Sequence, residues 1–459
     1  MKTYTPELDP AVLERLRDYA ALFADDFPQA KPARWAGVYL QGLLLDGERK
    51  SIEPLARRVT LPEGLSSKDP EQALQQFVNQ SPWDEQAVLR RYRARLAQAF
   101  ASPEGIFVID DTSFPKQGKH SVGVQRQYCG ALGKKANCQV AASVHYVAPG
   151  GHYPLDLRLY LPDSWLADPK RLDKAGVPPA ERRPLTKPQI ALELLDRVRG
   201  EGLPGGAVVT DAGYGAAADF RDGVAARGLV YMAGVTGDFV VFTAPPAWIP
   251  PRASGRGRPA TRHRLAPDNP PPVALSALAK QVRLRKVTWR QGSKGKLAAR
   301  FAWLRVWPGH GWQQGACASA GPVWLLLEEQ ADGKLKFAFS NLPPGSSCKK
   351  AVRLWKSRWP VEQGYQQLKE ELGLDHFEGR SWRGFHHHVC LTFLAYGFLT
   401  LERQRVATAR KKPVKKKSVP GADPAGDPAG AATAARATYA RELPPLQKAP
   451  TDVHANLTE

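Results

Sequence analysis

Over the first hundred residues, apolar side chains recur at intervals of three and four, as in AVLERLRDYAALF, ARWAGVYLQGLLL and AVLRRYRARLAQAF. That spacing places them along one side of an α-helix, and Ser51 stands where an N-cap is wanted ahead of SIEPLARRV. Residues 1–100 therefore read as a helical domain of their own, expected to bind DNA. From Gly105 the period changes to two. IFVID, QVAASVHYV (139–147) and YPLDLRLYL, in which Leu155, Leu157, Leu159 and Leu161 alternate with other residues, predict three successive strands. TKPQ then supplies a capping box, Thr186 with Gln189, to a helix whose Ile190, Leu194, Leu195 and Val198 share a face. AVVTD follows as a fourth strand, residues 216–227 as a short helix and LVYMAGV as a fifth strand.

The order β-β-β-α-β-α-β, with acids at the ends of the first and fourth strands, matches an α/β fold of the ribonuclease-H-like type. Open sheets of this kind gather their sites at strand ends. Residues 101–241 form the first part of this core. Over 242–345 a Pro/Gly-rich stretch leads into alternating segments, VRLRKVTW, LAARFAWLRVW, PVWLLLEE and KLKFAFS, which read as an all-β insertion. Helices return over 346–405 and complete the core. Residues 406–459 begin with a basic run and continue with too few large apolar residues to bury, so a disordered tail is expected.

Charge narrows the function. The chain carries 65 Lys and Arg against 44 Asp and Glu, a net +21 over 459 residues, a field suited to polyanions. Between positions 252 and 305 there are fourteen Lys or Arg and the single acid Asp268, so phosphate contact is the economical reading of the insertion. Within it, Arg256 and Arg258 in RGRP resemble an AT-hook, whose arginines lie along a minor groove; a flexible basic loop is the alternative. Arg90, Arg91, Arg93 and Arg95 are read as a solvated helix face, with DNA contact the lesser possibility. No signal peptide opens the chain, and the longest apolar run, 389–401, is shorter than the roughly 20 residues of a membrane span, so a cytoplasmic protein is expected. Five Cys with no C-x-x-C spacing are expected to be reduced, packed thiols.

The chemistry rests on acids. Asp110 and Asp111 close the first strand, Asp211 closes the fourth, and Glu362 opens a helix in RWPVEQGYQQLKEELGL. Each alone has an ordinary reading as a turn former or helix-end charge. Together, carboxylates from two strand ends and one helix supply the hard oxygen ligands that two Mg²⁺ ions need for in-line attack on a phosphodiester. Trp355, Arg358, Glu362, Gln366 and Lys369 follow at three- and four-residue intervals. Pro360 starts a new helix, so Glu362, Gln366 and Lys369 are the coaxial set, while Arg358 and Lys369 would hold the phosphate backbone. Lys116, Lys119, Arg126, Lys134 and Lys135, with Tyr128 among them, are candidate DNA contacts beside the first acid. His386, His387 and His388 are adjacent on a helix, point about 100° apart and cannot chelate together, so they read as exposed or DNA-facing. GALGKK is not a P-loop, and Thr112 breaks the Asp-x-Asp of dehalogenase-type phosphatases.

On these motifs the chain resembles the DDE transposases of bacterial insertion sequences, in the branch with a Y-x2-R-x3-E-x6-K signature and a β insertion before the Glu. Through IDDTSFPKQGKHSVGVQRQYCGALGKKANCQVA and VVTDAGYG it is particularly similar to the insertion sequence 701 group, over about residues 39–398. The resemblance implies a retroviral-integrase-type core, catalytic Asp110, Asp211 and Glu362 with Arg358 and Lys369 as partners, and two Mg²⁺ ions replaceable by Mn²⁺. It also implies that double-stranded DNA, as terminal repeats and as target, is the substrate, that a homodimer forms the synaptic complex, and that the protein works at the bacterial nucleoid. Asp110 is favoured over Asp111 as the metal ligand because the family shows Asp-x-Thr/Ser and Thr112 then fits. Trp355 replaces the signature Tyr and is a candidate DNA contact. A nuclease of the same fold without strand transfer and a retired DNA-binding protein are the alternatives.

Overall fold

The computed structural model describes residues 9–251, 261–292, 295–318 and 320–411. Arg256, Arg258 and the tail beyond 411 lie outside the described residues. The N-terminal part is five helices: α1 (Pro10–Ala21), α2 (Ala30–Leu44), α3 (Ile52–Ala56), α4 (Pro70–Asn79) and α5 (Glu85–Phe100). Asp9, Asp69 and Asp84 cap α1, α4 and α5 with their side chains, and Ser51 holds the N-cap position of α3 without a side-chain bond. Strand β1 (Ile106–Pro115) is followed by the hairpin of β2 (Gln125–Cys129) and β3 (Lys134–Ala148), then β4 (Gly151–Leu159). After two short helices, α6 (Asp163–Leu166) and α7 (Pro169–Lys174), comes α8 (Lys187–Gly200), and Thr186 and Gln189 form both bonds of its capping box. The core continues with β5 (Ala207–Thr210), α9 (Ala212–Gly215), α10 (Ala218–Ala226) and β6 (Val230–Val235).

These strands lie in the order β4-β3-β1-β5-β6, with β3 antiparallel to both β1 and β4, and with β5 and β6 parallel to β1. The basic region contributes β7 (Val240–Phe242), β8 (Trp248–Ile249), β9 (Arg264–Leu265), β10 (Val273–Ala274), the short α11 (Leu275–Leu278), β11 (Arg285–Gly292), β12 (Gly295–Pro308), β13 (Val323–Glu329) and β14 (Leu335–Ser340). It is predominantly β, as its alternation predicts. Its sheet is not a separate layer, because β14 pairs antiparallel with β6 and extends the core sheet through β13, β12 and β7. The C-terminal helices are α12 (Cys348–Lys356), α13 (Trp359–Gln366), a π-helical turn (Gln367–Glu371) and α14 (Trp382–Lys411).

Helix α14 explains the packing. From Phe385 to Phe398 it is buried all round, as a helix without a polar face must be, and it packs on α2, α4, α5 and β4. The apolar run of 389–401 is therefore a core segment, and no helix among the described residues is long and apolar enough to cross a membrane. The N-terminal helices consequently share one hydrophobic core with α14 and the sheet, running from Leu16 to Phe398, rather than enclosing a core of their own.

Two expectations of exposure fail for the same reason. Arg93 is 3% exposed; it grips Glu201 and donates to the Leu155 carbonyl at 3.1 Å, fastening α5 to β4, while Arg91 pairs with Asp26. His386, His387 and His388 are buried rather than exposed or DNA-facing. His387 stacks on Trp83 with ring centroids 3.6 Å apart, and His388 accepts at Nδ1 from the Tyr39 hydroxyl while Nε2 donates to the Gly373 carbonyl. The five cysteines are free thiols, four buried and Cys348 half-buried.

Candidate active site

The site begins with a strand register. β1 and β5 run parallel with Ile109 opposite Thr210, so the next residue of each, Asp110 and Asp211, leaves neighbouring strands at one level. β5 stops there, and Asp211 caps α9, its Oδ1 accepting from the Gly213 amide at 2.9 Å. β1 continues to Pro115 against β3. The turn at Asp211 needs its glycines: a Cβ on Gly215 would lie 2.0 Å from the Gly234 carbonyl oxygen of β6.

Successive side chains of a strand face opposite ways, and this separates the Asp pair. The Asp111 carboxylate accepts from Lys187 Nζ and from the Tyr214 hydroxyl. Asp110 turns to α13, where Arg358 Nη2 lies 3.2 Å from its Oδ2. The same Nη2 is 3.8 Å from Glu362 Oε1, one helical turn further on. Burial pushes the Asp110 carboxyl up to about 6; Arg358 opposes this and Asp211 adds to it. Burial works against the Arg358 charge, yet the fields of Asp110, Asp211 and Glu362 outweigh it and raise its pKa. All three predicted acids thus act on one guanidinium. Arg358 Nε and the Thr210 hydroxyl are buried without a partner among the described residues.

Several residues absent from the motif reading hold this arrangement. The Tyr365 hydroxyl bonds Ser143 Oγ, which donates to the Asp110 carbonyl at 3.1 Å, tying α13 to β3 and β1. Buried Glu328 of β13 accepts from Trp355 Nε1 at 2.7 Å and from Lys356 Nζ, fixing the end of α12 just before Arg358. An acid directly following the apolar run VWLLL is the signal for such a partner. Lys369 sits on the π-helical turn, a distortion that often marks functional sites, and donates to the Ser113 carbonyl at 3.0 Å. Burial lowers its pKa, against the opposing fields of Asp375, Cys129 and Asp110.

Of the other candidates, Lys119, Arg126, Lys134 and Lys135 are exposed, and Tyr128 stands out from the hairpin at 64% exposure. Lys116 and Trp355 are not offered to a ligand. Lys116 turns inward and donates to the Phe377 carbonyl at 2.5 Å, and Trp355 is buried on Glu328. Among the described residues no three His, Cys, Asp or Glu side chains converge closely enough to hold a metal ion. The donor set nevertheless suits a hard divalent cation. Asp110 and Asp211 are carboxylates at one level of adjacent strands, and the field of Asp211 adds to the burial that raises the Asp110 pKa.

A mixed α/β chain with Asp110 and Glu362 on one arginine and Asp211 on the next strand is the setting for the comparisons with known proteins. The model of the DDE superfamily endonucleases matches residues 22–296, and the chain belongs to that family. The matched stretch includes Asp110 and Asp211 and ends before Glu362. The probable transposase for insertion sequence element IS701 of Microchaete diplosiphon is 32% identical over 200 residues, which is 43% of this chain and 47% of that protein. The match thus spans about half the length of that curated relative. Among solved structures, the cryo-EM structure of a piggyBac transposase synaptic complex with hairpin DNA aligns over 92% of this chain and 89% of its own, at 10% identity and a TM-score of 0.35.

Proposed function

We propose that the chain is the transposase of an insertion sequence, which binds terminal inverted repeats, cuts DNA at the element ends and joins the freed 3′-OH to target DNA. The observation that carries this reading is that Arg358 lies 3.2 Å from Asp110 and 3.8 Å from Glu362, while Asp211 leaves the neighbouring strand at the level of Asp110. The strand order β4-β3-β1-β5-β6, with its antiparallel and parallel halves, supports a ribonuclease-H-like core. The likeness to a probable insertion-sequence transposase supports the same conclusion.

Asp110, Asp211 and Glu362 would hold the metal, Mg²⁺ by the chemistry of all-oxygen donors with Mn²⁺ able to replace it. Bound there, a pair of ions supplies Lewis-acid polarisation of the phosphate and a more acidic water. Asp110 is preferred to Asp111 as ligand, since Asp111 already accepts from Lys187 and Tyr214. Arg358, with a buried Nε lacking an acceptor, is suited to take a phosphate oxygen there, because guanidinium groups bind such oxygens in pairs. Lys369 stands beside it on the Ser113 carbonyl. Lys119, Arg126 and Lys134 offer exposed cations to the DNA backbone. Lys116 and Trp355 are assigned to the framework. Holding two element ends together calls for two copies of the chain, acting on bacterial DNA in the cytoplasm.

Purified full-length protein, Mg²⁺ and labelled duplex carrying the element's ends, taken from the DNA flanking its gene, test this. Nicking at the element boundary by wild type and not by Glu362→Gln supports the reading. Precut ends that are never joined to target would reduce the protein to a nuclease. Binding without any cutting by wild type would make it a retired DNA-binding protein.

A further inference from the structure

Away from the acids, a cleft of about 570 Å³ opens where the loop after β1, helix α7 and the segment before α14 meet. His120, Arg171, Lys174 and Arg380 line it, with one acid, Glu378. That acid is engaged by Arg49 at 2.7 Å, and no carboxylate among the described residues pairs with Arg171, Lys174 or Arg380. Unneutralised cations facing one another across a cleft repel, so they persist there at a cost that an anion removes.

Arg171 is also preset. Its guanidinium lies 3.7 Å over the ring of Trp165, whose own N–H donates to the Val124 carbonyl at 2.8 Å, and its Nη2 donates to the Lys119 carbonyl at 2.8 Å. A flat guanidinium fixed on an aromatic floor loses little freedom on meeting a phosphate. The Lys119 bond joins the cleft to a loop that leaves the active strand directly. From Asp110 to Pro115 the strand advances five residues, about 17 Å at roughly 3.4 Å per residue.

We propose that this cleft is a second phosphate-backbone clamp, holding duplex DNA away from the scissile bond. The inference rests on the reading that the chain acts on DNA and adds a site distant from the acids. The test is the full chain with Lys174→Gln and Arg380→Gln together, both exposed positions, titrated with a fluorescent 30-base-pair duplex across a range of NaCl, alongside thermal melting. Expected are an unchanged melting temperature, affinity weakened about tenfold at 100 mM salt, a salt slope shallower by roughly two, and loss of a patch of hydroxyl-radical protection away from the cut while protection at the cut persists. His120→Gln, tested in the same way, supplies an independent variant should the double one melt early. Unchanged affinity, slope and footprint in a folded variant would overturn the clamp while leaving the function intact. A loss confined to RNA of the same length would overturn it too. Wild type that shows no salt-dependent DNA binding would overturn the function and the clamp together.

Discussion

Arg358 and Asp110 meet at 3.2 Å in a partly closed site, and the arginine does not fully offset the burial of the carboxylate, whose pKa stands at about 6. The folded protein therefore holds the Asp110 proton more tightly than the unfolded chain does, at an ordinary Asp value near 4. Stability from this group is complete below about pH 4 and is lost as pH rises through about 6. Asp110→Asn removes the loss. The variant should match wild type near pH 4 and exceed it at pH 8 by on the order of 3 kcal/mol, about 1.4 kcal/mol per pKa unit. Urea unfolding at both pH values checks this, and a variant less stable than wild type at pH 8 would contradict it.

A divalent cation should answer the same repulsion. Adding Mg²⁺ or Ca²⁺ should raise the wild-type melting temperature, since a ligand selective for the folded state stabilises it. The shift should be absent in Asp110→Asn and Asp211→Asn and retained in Asp111→Asn. Equal shifts in all four proteins would place the ion elsewhere.

Glu328 lies in the insertion but acts on the site, because Trp355 and Lys356 both donate to it. Glu328→Leu leaves Lys356 without its carboxylate and Trp355 without an acceptor, a change of about 3 kcal/mol in a buried pair. Loosening of α12 should lower nicking at least tenfold, and Glu328→Gln, which keeps an acceptor for the indole, should recover part of it. Full activity in Glu328→Leu would show that α12 is held by packing alone.

Gly215→Ala should be far worse than a helical glycine usually warrants. The new Cβ would stand 2.0 Å from the Gly234 oxygen and 2.8 Å from the Ala233 carbonyl carbon, so the backbone of α9 must move, taking Asp211 with it. A loss of more than about 2 kcal/mol and of all nicking is expected. Calorimetry and the cleavage assay read the two effects separately.

Acid should unfold the protein early. Burial pushes His386 and His388 down to about 4, whereas unfolded histidines titrate near 6.5. Stability from these neutral rings is complete above about pH 6.5 and is lost as pH falls toward 4. Denaturant midpoints should fall through that window, and His388→Gln should flatten the slope by about one proton.

Much of the fold was legible because local chemistry and tertiary structure agree. The alternation in YPLDLRLYL is a strand, the Thr186 and Gln189 capping box forms, and Asp211 does follow the end of its strand, whereas Asp110 lies within β1, level with Asp211, and the strand runs on to Pro115. The readings that failed are those in which a polar residue has a distant partner. Arg93 resembles any solvated arginine until Glu201, 108 positions away, is folded beside it, and the histidines resemble surface residues until Tyr39 and Val78 close over them. β2 has the polar sequence QRQYC and is a strand through pairing with β3 alone. Helix α4 is legible too, with Leu74, Phe77 and Val78 at helical spacing and Asp69 and Pro70 marking its start. In the site, the acids and Arg358 could be read from spacing. The engagement of Asp111 by Lys187 and Tyr214 could not, because it joins three separate elements.

The seam between β14 and β6 has a consequence for how such a chain could be trimmed or recombined. With β14 in place, β6 is an interior strand. Excising residues 242–345 would leave its amide and carbonyl row open beside Val230, Met232 and Val235, an apolar template ready to recruit another chain. The basic region therefore shields the core from self-association, and a shortened protein should gather into aggregates unless β14 itself is kept as a blunt selvedge along that side.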